Sequence, residues 1–465
     1  MTHDSLFIES FVDTGLGNSA YLVGSRASQQ AVLIDPLRDI DRYRHTAEQL
    51  GVRITHILDT HLHNDFVSGA RELAAQTGAI IGLGAQFGVE FEHRALVEND
   101  ELSLGDVSIK VIATPGHTPE HIAFVLHKHG APEALFSGGA LMVGGAARTD
   151  LLGHEHAEPS ARALYHTLHD KILLLADTVG VYPTHGAGSF CAAPASDQRV
   201  TTIGQERQHN ALIAAQSEDE FVRRALSGLP SYPVYYPHVR ALNKRGPRVL
   251  GNGGVPLLTP LSAEEVHGAV ERGRLILDVR PPQAFGDAHI PDAYGINLGA
   301  PLTTWAGWLI PFGAPLILVA DTADDRVNAV RQLVRIGYDN LLGYLEGGVD
   351  AWAAAGLRIE HVPTLTAHEL RERLTEGDGL TLLDVRQDSE WRAGHIRGAI
   401  HIENGRLPEA ELPFAKDQPI AVQCARGSRS MAGISALLRR GYRNVIQVQG
   451  GINAWQAAGY EVTRA

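Results

Sequence analysis

Cysteine is almost missing from this chain. Cys191 and Cys424 are the two in 465 residues, which excludes a disulfide framework and suits a reducing compartment. No uninterrupted apolar run reaches about 20 residues, the length a spanning helix needs, so neither a transmembrane segment nor a membrane partner is expected. Residues 1–19 carry acids and lack an apolar core, so no secretory signal is expected, and the expected location is cytoplasmic. Basic residues are outnumbered, 40 Lys and Arg against 53 Asp and Glu, for a formal charge of −13. That balance argues against nucleic acid as a partner, although solubility alone also explains it. What is present is an ordinary globular composition, 44% hydrophobic and 20% charged, with 49 glycines for tight turns. At roughly 150 residues per domain, the length predicts about three domains.

The C-terminal part contains one unit twice. Leu277-Asp278-Val279-Arg280 matches Leu383-Asp384-Val385-Arg386, and His289-Ile290-Pro291 matches His395-Ile396-Arg397. Gly347-Gly348-Val349-Asp350-Ala351-Trp352 matches Gly450-Gly451-Ile452-Asn453-Ala454-Trp455. A spacing of about 105 residues is too long for a solenoid and implies a duplicated domain. Apolar strand runs alternate with helical stretches, which predicts parallel sheets covered by helices.

In the second copy Cys424 stands between a short strand-like run, Pro419 to Gln423, and a helical run from Met431 to Arg440. A thiol facing a helix N-terminus, with Arg426 and Arg429 beside it, sits where an anion is favoured. Such surroundings lower a thiol pKa toward the reactive thiolate. The stretch Cys424-Ala425-Arg426-Gly427-Ser428-Arg429 resembles the active-site loop of the rhodanese sulfurtransferases. Four residues separate Cys424 from Arg429, a tighter loop than that of the cysteine phosphatases, and better suited to one sulfur than to a phosphate. The resemblance implies a persulfide on Cys424, cradled by the N–H groups of Gly427 and Ser428, with Arg429 and Arg426 balancing charge. In the first copy Ala320 falls opposite Cys424, followed by Asp321, Asp324 and Asp325. Without a thiol or a basic cradle, that copy is expected to be catalytically silent.

The N-terminal half carries its histidines on strand-end loops, where α/β folds build sites: Thr60-His61-Leu62-His63-Asn64-Asp65-Phe66, Pro115-Gly116-His117-Thr118 and Pro183-Thr184-His185. With Val32-Leu33-Ile34-Asp35-Pro36 and Arg148-Thr149-Asp150, the pattern resembles the metallo-β-lactamase fold. Its glyoxalase II-like and persulfide dioxygenase-like members are the most similar branch. The resemblance implies a four-layer αββα sandwich, with His61, His63 and His117 at a first metal and Asp65 and His185 at a second. Two departures stand out. Phe66 occupies a position where the family has histidine, and Gly139 stands where it has a bridging carboxylate. A two-metal hydrolase is therefore not expected. His61, His63 and His117 are enough for one iron or zinc ion with an open position. The competing reading is a vacant site whose histidines serve packing. His154 and His156 are read as an exposed turn, and Cys191 as a plain buried thiol.

The expected organisation is an α/β multidomain chain. A metallo-β-lactamase-like domain spans residues 1–225, a Pro- and Gly-rich connector 226–257, a silent rhodanese-like domain 258–360, and a rhodanese domain with Cys424 361–465. This arrangement resembles the persulfide dioxygenase–rhodanese fusions. It implies an enzyme of sulfur metabolism acting on a small thiol persulfide, thiosulfate or sulfite. The alternatives are a glutathione thioester hydrolase and a metal-free persulfide-binding scaffold. The sequence leaves a homo-oligomer open.

Overall fold

Apolar residues alternate along the strand Ile122–Lys128 in the computed structural model of this chain, which describes residues 5–191 and 197–464. Phe124 and Leu126 enter one hydrophobic core, Ala123 and Val125 another. Successive side chains of a strand point to opposite faces, so a strand apolar on both faces belongs to a buried layer. Ala131–Gly138 repeats the pattern, with Ala134 and Phe136 in the first core and Leu135 in the second. The first core joins two six-stranded sheets. One runs in chain order through Leu6–Asp13, Asn18–Ser25, Gln30–Ile34, Arg53–Leu58, Ile80–Gly84 and Arg94–Leu96. The other is ordered Thr201–Thr202, Gly180–Pro183, Ala131–Gly138, Ile122–Lys128, Val107–Ala113 and Glu101–Ser103.

Helices Asp41–Leu50 and Ala70–Thr77 cover the outer face of the first sheet through Tyr43, Ala47 and Leu73. Helix His154–Asp170 covers the second with Leu164 and Leu168. The result is the αββα sandwich. It forms one compact unit, Met1–Pro256 with Val334–Gly337. The connector belongs to this unit as far as Pro256. It contains the helix Tyr236–Arg245, opened by Pro237 in its first turn and closed at Gly246.

The second unit, Leu257–Leu333 with Tyr338–Ala465, holds two five-stranded parallel sheets. Their strand orders are the same: Pro260–Leu261, Leu341–Leu345, Leu316–Val319, Leu275–Asp278, Tyr294–Gly295, and then Thr364–Leu365, Val445–Val448, Ile420–Gln423, Thr381–Asp384, Ile400–His401. Registers match as well, Asp278 opposite Val319 and Asp384 opposite Gln423. The central strands Leu316–Val319 and Ile420–Gln423 are wholly buried. Burial on both faces is why they read as continuous apolar runs. Among the described residues, no helix is long and apolar enough to cross a membrane.

Candidate functional sites

Four loops that follow strands meet in the first unit. Asp59 to Ser68 follows Arg53–Leu58, Thr114 to His121 follows Val107–Ala113, Gly139 follows Ala131–Gly138, and Thr184-His185 follows Gly180–Pro183. His61, His63, His117, His121 and His185 are all buried. One nitrogen each of His61, His117 and His185 lies within 4.8 Å of the other two. The ring centroids are 4.8 Å apart for His61–His117 and 5.2 Å for both His61–His185 and His117–His185.

Hydrogen bonds decide which nitrogen of each ring is free. Thr60 Oγ1 donates its proton to Asp35 Oδ2 (2.8 Å), so it accepts from His61 Nδ1 (2.9 Å). His117 Nδ1 donates to the Arg148 carbonyl at 2.6 Å. His185 Nδ1 faces Asp65 Oδ2 at 3.3 Å and Asn18 Oδ1 at 3.4 Å, both acceptors, while Asn18 Nδ2 donates to Asp65. Each Nδ1 therefore keeps its proton, and each Nε2 is left with a lone pair. Tying the far N–H to an oxygen is how proteins orient metal-ligating histidines. His61 Nε2 and His185 Nε2 stand 3.3 Å apart. Two buried lone pairs at that distance repel unless a cation lies between them. Nitrogens about 2.0–2.1 Å from a tetrahedral ion are about 3.3–3.4 Å from each other. The donor set therefore fits the divalent ion that the fold implies.

The remaining groups frame this cluster. Asp35, at the left-handed φ of 50°, accepts from the Thr60 amide and hydroxyl, from His63 Nε2 at 3.2 Å and from Thr184 Oγ1. Burial pushes its carboxyl up, but the His63 charge and these bonds outweigh it, and Asp35 titrates below its ordinary range. Burial lowers His63, yet Asp35 more than reverses the fall with help from Asp59 and Asp65. Phe66 stacks on the His63 ring at 4.0 Å. His63 Nδ1 and Asp65 Oδ1 are buried without a partner. His63 also falls within two further groups with ligand spacing, one with Asp65 and His185, the other with Asp35 and Asp59. Desolvation and the neighbouring imidazoles hold His61 and His121 well below the usual histidine range, and bring His117 to about 3. Burial lifts Asp59 to about 7.

His121 has both nitrogens engaged, Nδ1 with Thr114 Oγ1 (2.8 Å) and Nε2 accepting from the Gly139 amide (3.0 Å). Gly139 itself has no room for a side chain. A Cβ there would stand 2.5 Å from His117 Cδ2 and 2.9 Å from Ala147 Cβ. The His117 ring occupies the space a carboxylate would need. His154 and His156 are exposed and helical rather than in a turn, since they open His154–Asp170. Cys191 is buried, its Sγ 3.9 Å from Tyr236 Oη, and desolvation pushes its thiol well up.

Residues that carry no motif lock the ligand loop. Asn243 Nδ2 donates to the carbonyls of His63 and Phe66, both at 2.9 Å, and its Oδ1 accepts from the Ser68 amide at 3.0 Å. Tyr235 Oη donates to the Asp65 carbonyl at 2.7 Å, and Arg240 to that of Leu62 at 2.9 Å. All three lie in the connector, whose proline-spaced tyrosines suggest packing over the first domain's pocket, whereas no motif marks Asn243 or Arg240.

In the second unit Cys424 ends the strand Ile420–Gln423, ahead of the helix Ser428–Arg439. The Gly427 amide donates to Cys424 Sγ at 3.0 Å, and Ser430 Oγ lies 3.7 Å from the same sulfur. Arg429 grips Glu390 through two bonds of 2.5 and 2.7 Å, while Arg426 is exposed and Ser428 half-buried. The Cys424 and Ala425 carbonyls accept from the amides of Ile452 and Asn453, at 2.9 and 3.2 Å. Gly451 comes so close to the loop that a Cβ on it would overlap the Cys424 carbonyl oxygen. In the first copy the corresponding helix, Ala323–Arg335, is capped from within: the Asp325 amide donates to Thr322 Oγ1, which donates to Asp325 Oδ2.

Comparison with known proteins agrees with this layout. Residues 13–185 match the metallo-beta-lactamase superfamily, and residues 262–355 and 366–458 each match the rhodanese-like domain. Human mitochondrial persulfide dioxygenase ETHE1 is 33% identical over 209 residues, 44% of this chain and 74% of that protein. The hydroxyacylglutathione hydrolase of Rhodospirillum rubrum is 33% identical over 221 residues, 47% of this chain and 78% of that protein. A crystal structure of a metallo-beta-lactamase from Staphylococcus aureus superposes with a TM-score of 0.65 at 29% identity, covering 73% of this chain and 99% of that one.

Proposed function

Because the chain belongs to the metallo-β-lactamase superfamily and carries two rhodanese-like domains after that domain, we propose that it is a sulfur-metabolism enzyme that moves sulfane sulfur through Cys424. The observation carrying this reading is the Gly427 amide aimed at Cys424 Sγ from a helix N-terminus. The thiolate attacks the outer sulfur of thiosulfate or of a small persulfide. The S–S bond of the donor breaks, and sulfite or a thiolate leaves with the electron pair. Cys424 then holds a persulfide, whose outer sulfur passes to an acceptor thiolate or sulfite as the Cys424 thiolate returns. Gly427 N–H and the helix dipole stabilise the negative sulfur at each stage. Glu390 fixes the Arg429 guanidinium beside the loop. Cys424→Ser tests this half: thiosulfate:cyanide transfer should vanish, and unchanged transfer refutes it.

To the N-terminal domain we assign oxidation of a low-molecular-weight persulfide, the activity in the name of the human relative. A bound iron would supply the redox-active centre for oxidising the persulfide sulfur with dioxygen. His61 and His117 would hold it. Thr60 and the Arg148 carbonyl fix their tautomers, and the burial of both rings excludes bulk water. Oxygen uptake with glutathione persulfide should depend on added ferrous ion, and no uptake at full iron loading refutes this half. The hydrolase relatives favour a second reading, zinc-dependent thioester hydrolysis, for which turnover of lactoylglutathione is the test.

A further inference from the structure

We propose that the ion is held by three neutral imidazoles, the Nε2 atoms of His61, His117 and His185, with no carboxylate among its ligands. This rests on the metal-dependent reading of the first domain and names the residues that perform it. The geometry selects His185. Its Nε2 meets His61 Nε2 at 3.3 Å, the edge of a tetrahedral site, and its far nitrogen is held by Asp65 and Asn18. His63 keeps an unpartnered Nδ1, but it has ligand spacing with Asp65 and His185 or with Asp35 and Asp59 rather than with His61 and His117. Its Nε2 donates to Asp35, and stacking on Phe66 holds the ring in that orientation. The space a carboxylate on residue 139 would need is filled by the His117 ring, and Asp65 shares ligand spacing with His185 but not with His61 and His117.

Three neutral ligands have a chemical consequence. The ion keeps both positive charges, whereas a carboxylate would cancel one. A doubly charged centre with an open position binds an anion, such as a persulfide, more strongly. Asp65 compensates from behind His185, where it polarises the ligand without touching the ion.

The test is metal binding by the purified full-length protein, stripped with chelator and titrated with Zn²⁺ and Co²⁺. Content is measured by mass spectrometry, ligand field by cobalt absorption, and folding by circular dichroism. The wild type should take one ion per chain. His185→Ala should weaken binding by more than 100-fold. Asp65→Asn should weaken it by about 10–100-fold, as loss of a partner behind a ligand does. His63→Ala should still bind one ion with the wild-type cobalt spectrum. Gly139→Asp should bind less tightly, because the new side chain displaces His117. If His63→Ala loses the ion while His185→Ala keeps it, or if Gly139→Asp tightens binding, the assignment is wrong and the metal-dependent reading stands. If the wild type takes no ion, both fail, and Cys424 chemistry is untouched. His185→Gln, closer in size, replaces His185→Ala if the latter unfolds.

Discussion

Gly451→Ala and Gly348→Ala are the same change at matching positions of the two repeats, and the structure assigns them different outcomes. Both glycines have left-handed backbones, φ 55° at Gly451 and φ 61° at Gly348. An alanine in that region costs about 1–2 kcal/mol in either place. The surroundings differ. Nothing lies within 4 Å of a Cβ built on Gly348. A Cβ on Gly451 would overlap the Cys424 carbonyl oxygen and lie 2.8 Å from the carbonyl carbon of Cys424 and 2.9 Å from that of Ala425. The loop must retreat, and the Ile452 amide loses its 2.9 Å bond to Cys424, a further 0.5–1.5 kcal/mol or so. Gly348→Ala should thus lower stability by about 1–2 kcal/mol and leave sulfur transfer intact. Gly451→Ala should lose about 1.5–3.5 kcal/mol, and a displacement of the thiol by about 1 Å should reduce transfer by roughly 100-fold. Chemical denaturation and thiosulfate:cyanide turnover measure the two effects. Wild-type turnover in Gly451→Ala, or equal turnover losses in both variants, would refute the claim that this glycine sets the cysteine loop.

Asn243→Ala strips two buried carbonyls and one buried amide of their partner; at about 1–3 kcal/mol for each unsatisfied group, reduced where water enters, the N-terminal domain should lose about 2–4 kcal/mol in thermal melts and bind Zn²⁺ less tightly. Ala320→Cys in a Cys424→Ser background should give no thiosulfate:cyanide transfer, because Thr322 already caps the helix and Asp321 and Asp325 repel an anionic sulfur. In the metal-free protein, the Asp35–His63 pair should make its contribution fully present between about pH 4 and pH 6.5, the ordinary values of the two groups. Asp35, lowered by His63, gives up its share as pH falls through its folded value, and His63, raised by Asp35, as pH rises through its own. The melting-temperature gap between wild type and Asp35→Asn should therefore be widest in that window and narrow on both sides, while a gap independent of pH would count against the pair.

Much of this was legible because the signals are local. The repeated Asp-Val-Arg, His-Ile and Gly-Gly segments, and the alternation of apolar runs, needed no knowledge of tertiary contacts. They led to the two parallel-sheet domains, while the sandwich was implied by the resemblance of the histidine-bearing loops to the metallo-β-lactamase fold. The loops bearing His61, His117 and His185 were also visible, since each follows a strand-like run. The fate of individual nitrogens was not. His63 and His61 are two residues apart on one turn, yet one ring turns toward Asp35 and the other toward His185. That choice depends on Thr60, Asp35 and Phe66 packing together. Asn243 lies about 180 residues from the loop it holds, in a segment read only as a connector between domains. Arg429 was expected to balance the cysteine, and only the tertiary structure shows Glu390 holding its guanidinium.

The two repeats separate the residues that make the fold from those that make the chemistry. Asp278 pairs with Arg280, and Arg280 with the Ala288 carbonyl; Asp384, Arg386 and the Gly394 carbonyl do the same. His289 stacks on Phe285 as His395 does on Trp391. The indole N–H of Trp352 donates to the Arg358 carbonyl as that of Trp455 does to Glu461. These contacts bury polar groups with partners, so losing any of them would destabilise the domain whether or not it reacts. What differs lies at the strand end. Ala320 replaces the thiol, Ala284 stands at the place of Glu390, and the helix opens three residues after Ala320 but four after Cys424. In this loop, one residue shorter, the Thr322 and Asp325 amides are already bonded to each other's side chains. The proposed sulfur transfer therefore rests on a short segment and on the groups that reach it, Gly451, Glu390 and Gly427. The first repeat lacks the thiol and the Glu390 carboxylate yet keeps the same strand order and the matching Gly348, so the fold does not require those two groups.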